Sequence, residues 1–462
     1  MNEVAVLDQF TKGLGFELTE GQKRFVRYAS ALMNSPKDHC CLILSGYAGT
    51  GKTSMVSQFI KIISAWDYTP VLLAPTGRAA KVFERMSGLS ASTIHRYIYT
   101  FSEEDDDFRF EVRKNSTKKA VYFIDEASMI GDHSDGIGKG NLMEDVFQFI
   151  FQQKQSKIIL VGDEGQLPPV GLDYSPVLDL ENLQSYFSVP IAKVRLTEVV
   201  RQSLESGVLK NATHIRSNAL LQLEVCPDFE AITGVEFPEL LESSYGKHTT
   251  ENVLVVCRSN KMAYKYNMAI RNRIFDYEEA LCSNDLLMAV KNNYFWLKKH
   301  KRKGFIANGE SLKVQRILGY HSLGPFQFAD VEAQVGIEEE PISLTLWIDT
   351  LTSDGANMPR KETQKLYNLV KLDLINQKGD FTKKELKNNG ILNAIQVKYA
   401  YAVTCHKAQG GQWKEVYIDC GYYQEEEPDL EYRRWLYTAV TRAEEKVHLI
   451  QAPSRFFPNE IY

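Results

Sequence analysis

No stretch of this 462-residue chain is long and apolar enough to span a bilayer. Its first residues, Met-Asn-Glu-Val-Ala-Val-Leu-Asp, hold neither a basic nor an apolar leader segment. A membrane partner is therefore not expected, and a cytoplasmic setting is. Cysteine is scarce and odd in number: of seven, only Cys40 and Cys41 lie close together. Adjacent cysteines suit neither a zinc pair nor a disulfide ladder, so reduced thiols are expected. Positive charge is not in excess. The formal net charge of −5 rules out a global attraction to nucleic acid and confines any polyanion site to a local basic channel. Internal repeats and low-complexity tracts are also missing. What remains, with 44% hydrophobic and 24% charged residues, is the composition of a globular chain of about two to four domains with a sizeable core.

The most informative segment is Gly46-Tyr47-Ala48-Gly49-Thr50-Gly51-Lys52-Thr53, which follows the apolar run Cys41-Leu42-Ile43-Leu44. A buried strand, a G-x-x-x-x-G-K-[ST] loop and an amphipathic helix make a nucleotide phosphate site. Glycines allow backbone N–H groups to turn inward around phosphates, and the helix start adds partial positive charge. Lys52 then reaches the β- and γ-phosphates, and the Thr53 hydroxyl is a ligand for Mg²⁺. The chain is thus expected to bind ATP or GTP.

Around this loop the first 200 residues alternate strands with helices. Strands are expected at Val71–Ala74, Val121–Ile124 and Lys157–Val161, with helices over Thr53–Trp66 and Arg78–Met86. Such alternation implies a parallel sheet covered on both faces. Residues 97–101 and 108–112 alternate around an acidic tip and read as a projecting β-hairpin, and Gly131–Gly140 reads as a mobile loop. A second α/β pattern starts near Arg201, with a strand at Val253–Val256 and a helix over Asn260–Arg273. It lapses over residues 276–394 into short β-like pieces, Ser311–Val314 and Ile342–Trp347, and resumes with Tyr399–Val403, Glu415–Asp419 and Lys446–Ile450.

Asp125 and Glu126 close an apolar strand, where a carboxylate must stand to face the phosphate loop. Asp125 would hold Mg²⁺ and Glu126 would polarise the attacking water. Gln166, beyond the next strand and fixed by Pro168-Pro169, is placed to touch the γ-phosphate. Arg201 and Arg442 are candidate cleft-crossing arginines, a device worth about 10³ to 10⁵ in rate. Tyr294–Lys303 interleaves aromatic and basic residues in the manner of single-strand channels, although most charge runs are simply solvated.

Taken in order, these motifs resemble superfamily 1B helicases, in particular the RecD-like and Dda-like branch. The resemblance rests on Gln22, the phosphate loop, Ala74–Lys81, Ser92–His95, Asp125–Ser128, the Gln166 turn, Arg201, Tyr401–Gly410 and the segment ending in Arg442. Within 276–394 only Asn308-Gly309-Glu310 looks like the family's Asn-Gly-Asp turn.

The resemblance implies an α/β fold: two RecA-like P-loop domains with parallel sheets, a small β-hairpin insertion and an SH3-like, mainly β insertion. The first domain would span residues 1–200, with the hairpin at about 97–118. The second would span 201–275 and 395–462, and the insertion 276–394. Gln22 would read the adenine edge, favouring ATP over GTP. Gln166, Arg201 and Arg442 would surround the γ-phosphate, and Gln409 and Gly410 would link that site to nucleic acid. Thr76, His95, Thr404 and His406 would contact a single strand. The implied partners are single-stranded DNA and duplex junctions, the implied cofactors ATP and Mg²⁺, and the implied movement 5′ to 3′. An RNA-acting relative, or a motor subunit of a larger complex without unwinding of its own, would share every ATPase residue. A signalling NTPase switch is disfavoured by the second domain and its paired arginines.

Overall fold

The computed structural model describes residues 3–102, 109–133, 141–199, 206–217, 220–299, 305–336, 340–353, 355, 357–421 and 427–457. Arg201, the hairpin tip with Phe108, residues 134–140 of the Gly131–Gly140 loop and residues 300–303 of the basic–aromatic run lie outside the described residues.

In chain order the first half supplies β1 (His39–Gly46), β2 (Thr69–Ala74), β3 (Ala91–Thr93), the hairpin β4 (Tyr99–Ser102) and β5 (Arg109–Val112), then β6 (Ala120–Ile124), β7 (Ser156–Gly162) and β8 (Ile191–Leu196). Six of these form a sheet in the order β3-β2-β6-β7-β1-β8, parallel throughout. Its central strands are buried along nearly their whole length, which is why they read as unbroken apolar runs. Phe59, on the helix Lys52–Ile62, packs about 6 Å from Phe10, Phe25 and Phe123 and ties the two N-terminal helices to the sheet. Burying such a ring contributes roughly 2–3 kcal/mol. Because β6, β7 and β1 are neighbours running the same way, the loops that leave them lie side by side at one edge.

The hairpin pairs Tyr99 with Val112 and Phe101 with Phe110. It begins two residues later than the alternation suggests, since Tyr97 and Ile98 complete the helix Ile94–Ile98.

The second half opens with β9 (Phe229–Ile232) and β10 (Val253–Cys257), followed by the helix Asn260–Arg273. The chain then enters a closed barrel of β11 (Leu286–Ala289), β12 (Ser311–Leu323), β13 (Phe326–Val335), β14 (Ile342–Trp347) and β15 (Ile395–Tyr399). It returns through β16 (Ala402–Thr404), β17 (Trp413–Asp419) and β18 (Ala443–Ile450) to a parallel five-stranded sheet ordered β16-β10-β17-β18-β9.

Three features sharpen the sequence reading. The strand expected over Tyr399–Val403 is two strands: Tyr399 pairs with Leu287 in the barrel, and Ala402 pairs with Val255 in the sheet. The barrel therefore runs past the limit drawn at residue 394. Finally, the insertion is not only β. Between β14 and β15 stand the helices Arg360–Lys378 and Lys383–Lys387, seated by Leu366, Val370 and Leu374 on Phe326, Phe328 and Trp347.

Cores lie on both faces of each sheet and inside the barrel. All seven cysteines are free thiols. Among the described residues no helix is long and apolar enough to cross a membrane.

Candidate active site between the two sheets

The phosphate loop joins β1 to the helix Lys52–Ile62 through Gly49 and Gly51, at φ 75° and 83°, a region other residues enter at a cost. Gly46 has no room for a side chain, since a Cβ there would sit 2.9 Å from Leu196 and from Thr50 Oγ1. Lys52 Nζ donates to the Gly46 and Tyr47 carbonyls at 2.6 and 2.9 Å and lies 3.9 Å from Asp163. The Tyr47 ring lies under the Arg216 guanidinium, 3.8 Å from its centre.

Gln22 is buried and fully engaged: its Oε1 accepts the Thr19 N–H in a capping box, and its Nε2 donates to the Thr50 carbonyl at 3.2 Å. In this conformation Gln22 braces the phosphate loop from behind.

Beside the loop, β6 delivers Asp125 and Glu126. Asp125 Oδ1 accepts the Glu126 N–H at 2.9 Å. Burial and the adjacent Glu126 carboxylate push the Asp125 pKa upward, a cost that a bound cation would relieve. The Asp125 carboxylate, and the Thr53 hydroxyl in the first turn of the helix Lys52–Ile62, are hard oxygen donors of the kind Mg²⁺ takes. Glu126 is held at φ 50°, left-handed for a residue with a side chain, which turns its carboxylate toward the facing sheet. From β7, Gln166 is buried, and its Oε1 finds no partner within the protein. Amide oxygen and nitrogen are interchangeable by a flip, so this orphaned position suits a ligand oxygen as a donor.

The opposing wall comes from the starting edge of the second sheet. Arg442, only 3% exposed, precedes β18; its Nε donates to Thr438 O, and its Nη1 reaches Gly411 O at 3.3 Å and Glu126 Oε1 at 3.4 Å. Gln409 Nε2 donates to Leu167 O at 2.7 Å, beside Gln166. Gly410, at φ 72°, presses against the first sheet's layer: a Cβ there would stand 2.9 Å from Ala79 Cβ and 3.0 Å from Thr76 Oγ1. Arg78 completes the seam. Its guanidinium lies 3.8 Å over the Trp413 ring and donates to the Glu251 and Gln412 carbonyls, and burial lowers its pKa to about 10.

The candidate strand-binding residues are more dispersed. Thr76 caps the helix Gly77–Ser87 by accepting the Ala79 N–H. His95 stands 6.5 Å from the Phe305 ring, itself 4.8 Å from Tyr294, so part of the basic–aromatic run sits beside His95. Thr404 ends β16 and lines a cavity of about 370 Å³ between sheet and barrel, with Asn260, Lys261, Lys398 and Lys407. His406 is exposed two residues further on.

Residues 17–236 match the family model described as an AAA domain, and residues 399–450 match the UvrD-like helicase C-terminal domain. Three relatives stand out. An uncharacterized protein, MJ1519, of Methanocaldococcus jannaschii is 23% identical over 97% of this chain and 40% of its own length. The ATP-dependent RecD2 DNA helicase of Deinococcus radiodurans is 27% identical over 40% of this chain and 22% of its own length. The ATP-dependent DNA helicase dda of Enterobacteria phage T4 is 25% identical over 92% of this chain and 97% of its own. Together these matches make the chain similar to the superfamily 1B helicases of the RecD-like and Dda-like branch. It thus spans well under half the length of the first two relatives and nearly all of the third.

Two cleft residues went unrecognised in the sequence, Asp163 and Tyr437. Both lie inside motifs already singled out, but the hydrogen bond between them, 274 positions apart in the chain, leaves no local trace.

Proposed function

We propose that the chain is an ATP-dependent DNA helicase that moves 5′ to 3′ along single-stranded DNA and separates duplex ahead of it. The observation that carries the reading is the reach of Arg442, from the second sheet's layer, to Glu126 just past the end of β6, which supports one nucleotide cleft shared by both halves.

ATP is the substrate. The phosphate-loop amides and Lys52 would hold its phosphates, and Thr53 and Asp125 would hold Mg²⁺, which when bound neutralises charge on the phosphate oxygens. Glu126 orients the attacking water and accepts its proton, and Gln166 and Arg442 meet the γ-phosphate. Arg201 joins them by resemblance alone. Each of these groups favours the closed cleft only while the γ-phosphate is present, so hydrolysis weakens the closed state.

The segment from Thr404 to Gln412 transmits that change. The register places Thr404 opposite Cys257, at the finishing edge of the second sheet, and Glu415 opposite Val253, at its starting edge. One short piece of chain therefore joins the cavity beside Thr404 to the cleft beside Gln409 and Gly410. Backbone contacts by Thr76, His95, Thr404 and His406 would be sequence-tolerant and salt-sensitive. The relatives named as DNA helicases favour DNA, and the 5′ to 3′ direction rests on the branch.

Strand separation on matched 5′-tailed and 3′-tailed duplexes, DNA beside RNA, tests the reading. The expected outcome is ATP- and Mg²⁺-dependent opening of the 5′-tailed DNA. Preference for the 3′ tail would overturn the direction, preference for RNA the substrate, and ATP hydrolysis without opening would point to a motor subunit.

A further inference from the structure

The helix Leu430–Val440, which packs on the second sheet, inserts Tyr437 into the first sheet's site. The Tyr437 hydroxyl accepts the Ala48 N–H of the phosphate loop at 2.8 Å and donates to Asp163 Oδ2 at 2.7 Å. Asp163 follows the last residue of β7 and is 2% exposed; its Oδ1 accepts the Gly165 N–H at 2.8 Å. The same Oδ2 that Tyr437 holds is the atom 3.9 Å from Lys52 Nζ. One hydroxyl from the far side of the cleft thus binds both the rim of the phosphate loop and the carboxylate nearest its lysine.

We propose that Tyr437 is a positioning residue that frees Lys52 for the nucleotide only when the two halves are closed. Lys52 is attracted to two anions, Asp163 and the incoming phosphates. In a buried setting an unshared carboxylate within 4 Å of an ammonium is a strong competitor. A hydroxyl donating to the same oxygen weakens that attraction, because the lone pairs and charge are already engaged. Burial raises the Asp163 pKa, while Lys52 and the Tyr437 hydroxyl both pull it back down, so the two groups stabilise the same charge.

When the cleft opens, the helix carrying Tyr437 withdraws. Asp163 then turns its free oxygen to Lys52, and Ala48 loses its acceptor. When the cleft closes, the hydroxyl returns and Lys52 is released toward the phosphates. Phosphate capture and domain closure become one event, although Tyr437 itself touches no substrate.

The inference rests on the proposed ATPase reading, and its test separates the two. Tyr437→Phe keeps the ring and removes the hydroxyl; Asp163→Asn keeps the shape and removes the charge. DNA-stimulated hydrolysis gives KM and kcat, and equilibrium binding of a non-hydrolysable ATP analogue gives Kd. Thermal unfolding of each variant without nucleotide checks the fold.

Tyr437→Phe is expected to raise KM and Kd for nucleotide by about tenfold, the scale of a hydrogen bond to a charged group, with a smaller fall in kcat. Adding Asp163→Asn to Tyr437→Phe is expected to restore most of the affinity, because the amide no longer competes for Lys52. Should Asp163→Asn not fold, Asp163→Ser serves as the neutral partner. Unchanged KM and Kd in Tyr437→Phe, or additive losses in the double variant, would overturn the inference while wild-type hydrolysis stands. Absence of hydrolysis by the wild type would instead remove the ATPase reading, and the Kd values would still decide the coupling.

Discussion

The first sheet meets the cleft with the ends at which its strands finish, and the second meets it with the edge at which two of its strands begin. The finishing edge of the first presents backbone N–H groups, a lysine and carboxylates: Ala48, Lys52, Asp125, Glu126 and Asp163. The starting edge of the second presents side-chain donors on a helix end and a turn: Tyr437, Arg442 and Gln409. The second sheet keeps its own finishing edge for Thr404 and the lysine-lined cavity against the barrel. Similar sheets thus divide the work by orientation. In the proposed reading one holds the phosphates, and the other has one edge on the nucleotide and the opposite edge on the surface for the strand.

The most forceful way to break this comparison is at Lys52. Lys52→Ala removes the positive ligand of the phosphates and is expected to abolish hydrolysis in a steady-state assay, with single-strand binding retained in the absence of nucleotide. Near-wild-type turnover would show that the first sheet's edge is not the holding side.

Arg442→Ala tests the sensing side. Turnover is expected to fall by about 10³ or more, the range for a cleft-crossing arginine, while nucleotide-free DNA binding survives. Because the guanidinium also donates to Thr438 O and Gly411 O, unfolding is measured in parallel. A drop in Tm that accounts for all lost activity would make the residue structural.

The smallest expected effect lies at the starting edge of β17, in Glu415. The hydrogen bond from His448, with those from Ser244 and Lys247, holds its carboxyl well below the usual carboxylate range despite partial burial. A carboxyl whose folded pKa is depressed contributes stability above its unfolded pKa and loses it as pH falls through the folded value. Glu415→Gln is therefore expected to lower Tm by a few degrees at pH 7, with the gap narrowing steadily below about pH 4.5. A constant gap across that range would mean that packing, and not charge, sets the contribution.

How much of this was legible in the sequence follows from how local each feature is. The phosphate loop, Asp125–Glu126 and the helix Asn260–Arg273 are written in contiguous residues, and the structure places them where the patterns do. β14 is likewise visible at Ile342–Trp347. β12 is longer than Ser311–Val314 because past Val314 its residues, paired with β13, are mostly half-buried or exposed, so no apolar run marks it. The helix Arg360–Lys378 carried a signal that was passed over: Leu366, Val370 and Leu374 recur every fourth residue. The Tyr399–Val403 strand divided because Ala400 and Tyr401 carry the chain from barrel to sheet, and two buried strands in tandem look like one. Gln22 lies where the motif order places it, yet its capping box and its bond to Thr50 make it a brace for the loop, a relation only three dimensions reveal.

Gly410 sets a mechanical limit on all of this. Its bare backbone rests on Ala79 and Thr76 with less clearance than one methyl group needs. At this point the two layers come no closer without displacing Ala79 or Thr76, so in the proposed cycle movement away from this position is outward. In that cycle the contact would act as a hard stop, so the attractive contacts of Arg442 and Tyr437 would need only to bring the halves together and not to decide how far. A stop made of backbone and small side chains has few rotamers to average over, which would make the closed end of each proposed cycle reproducible even if the open end is not.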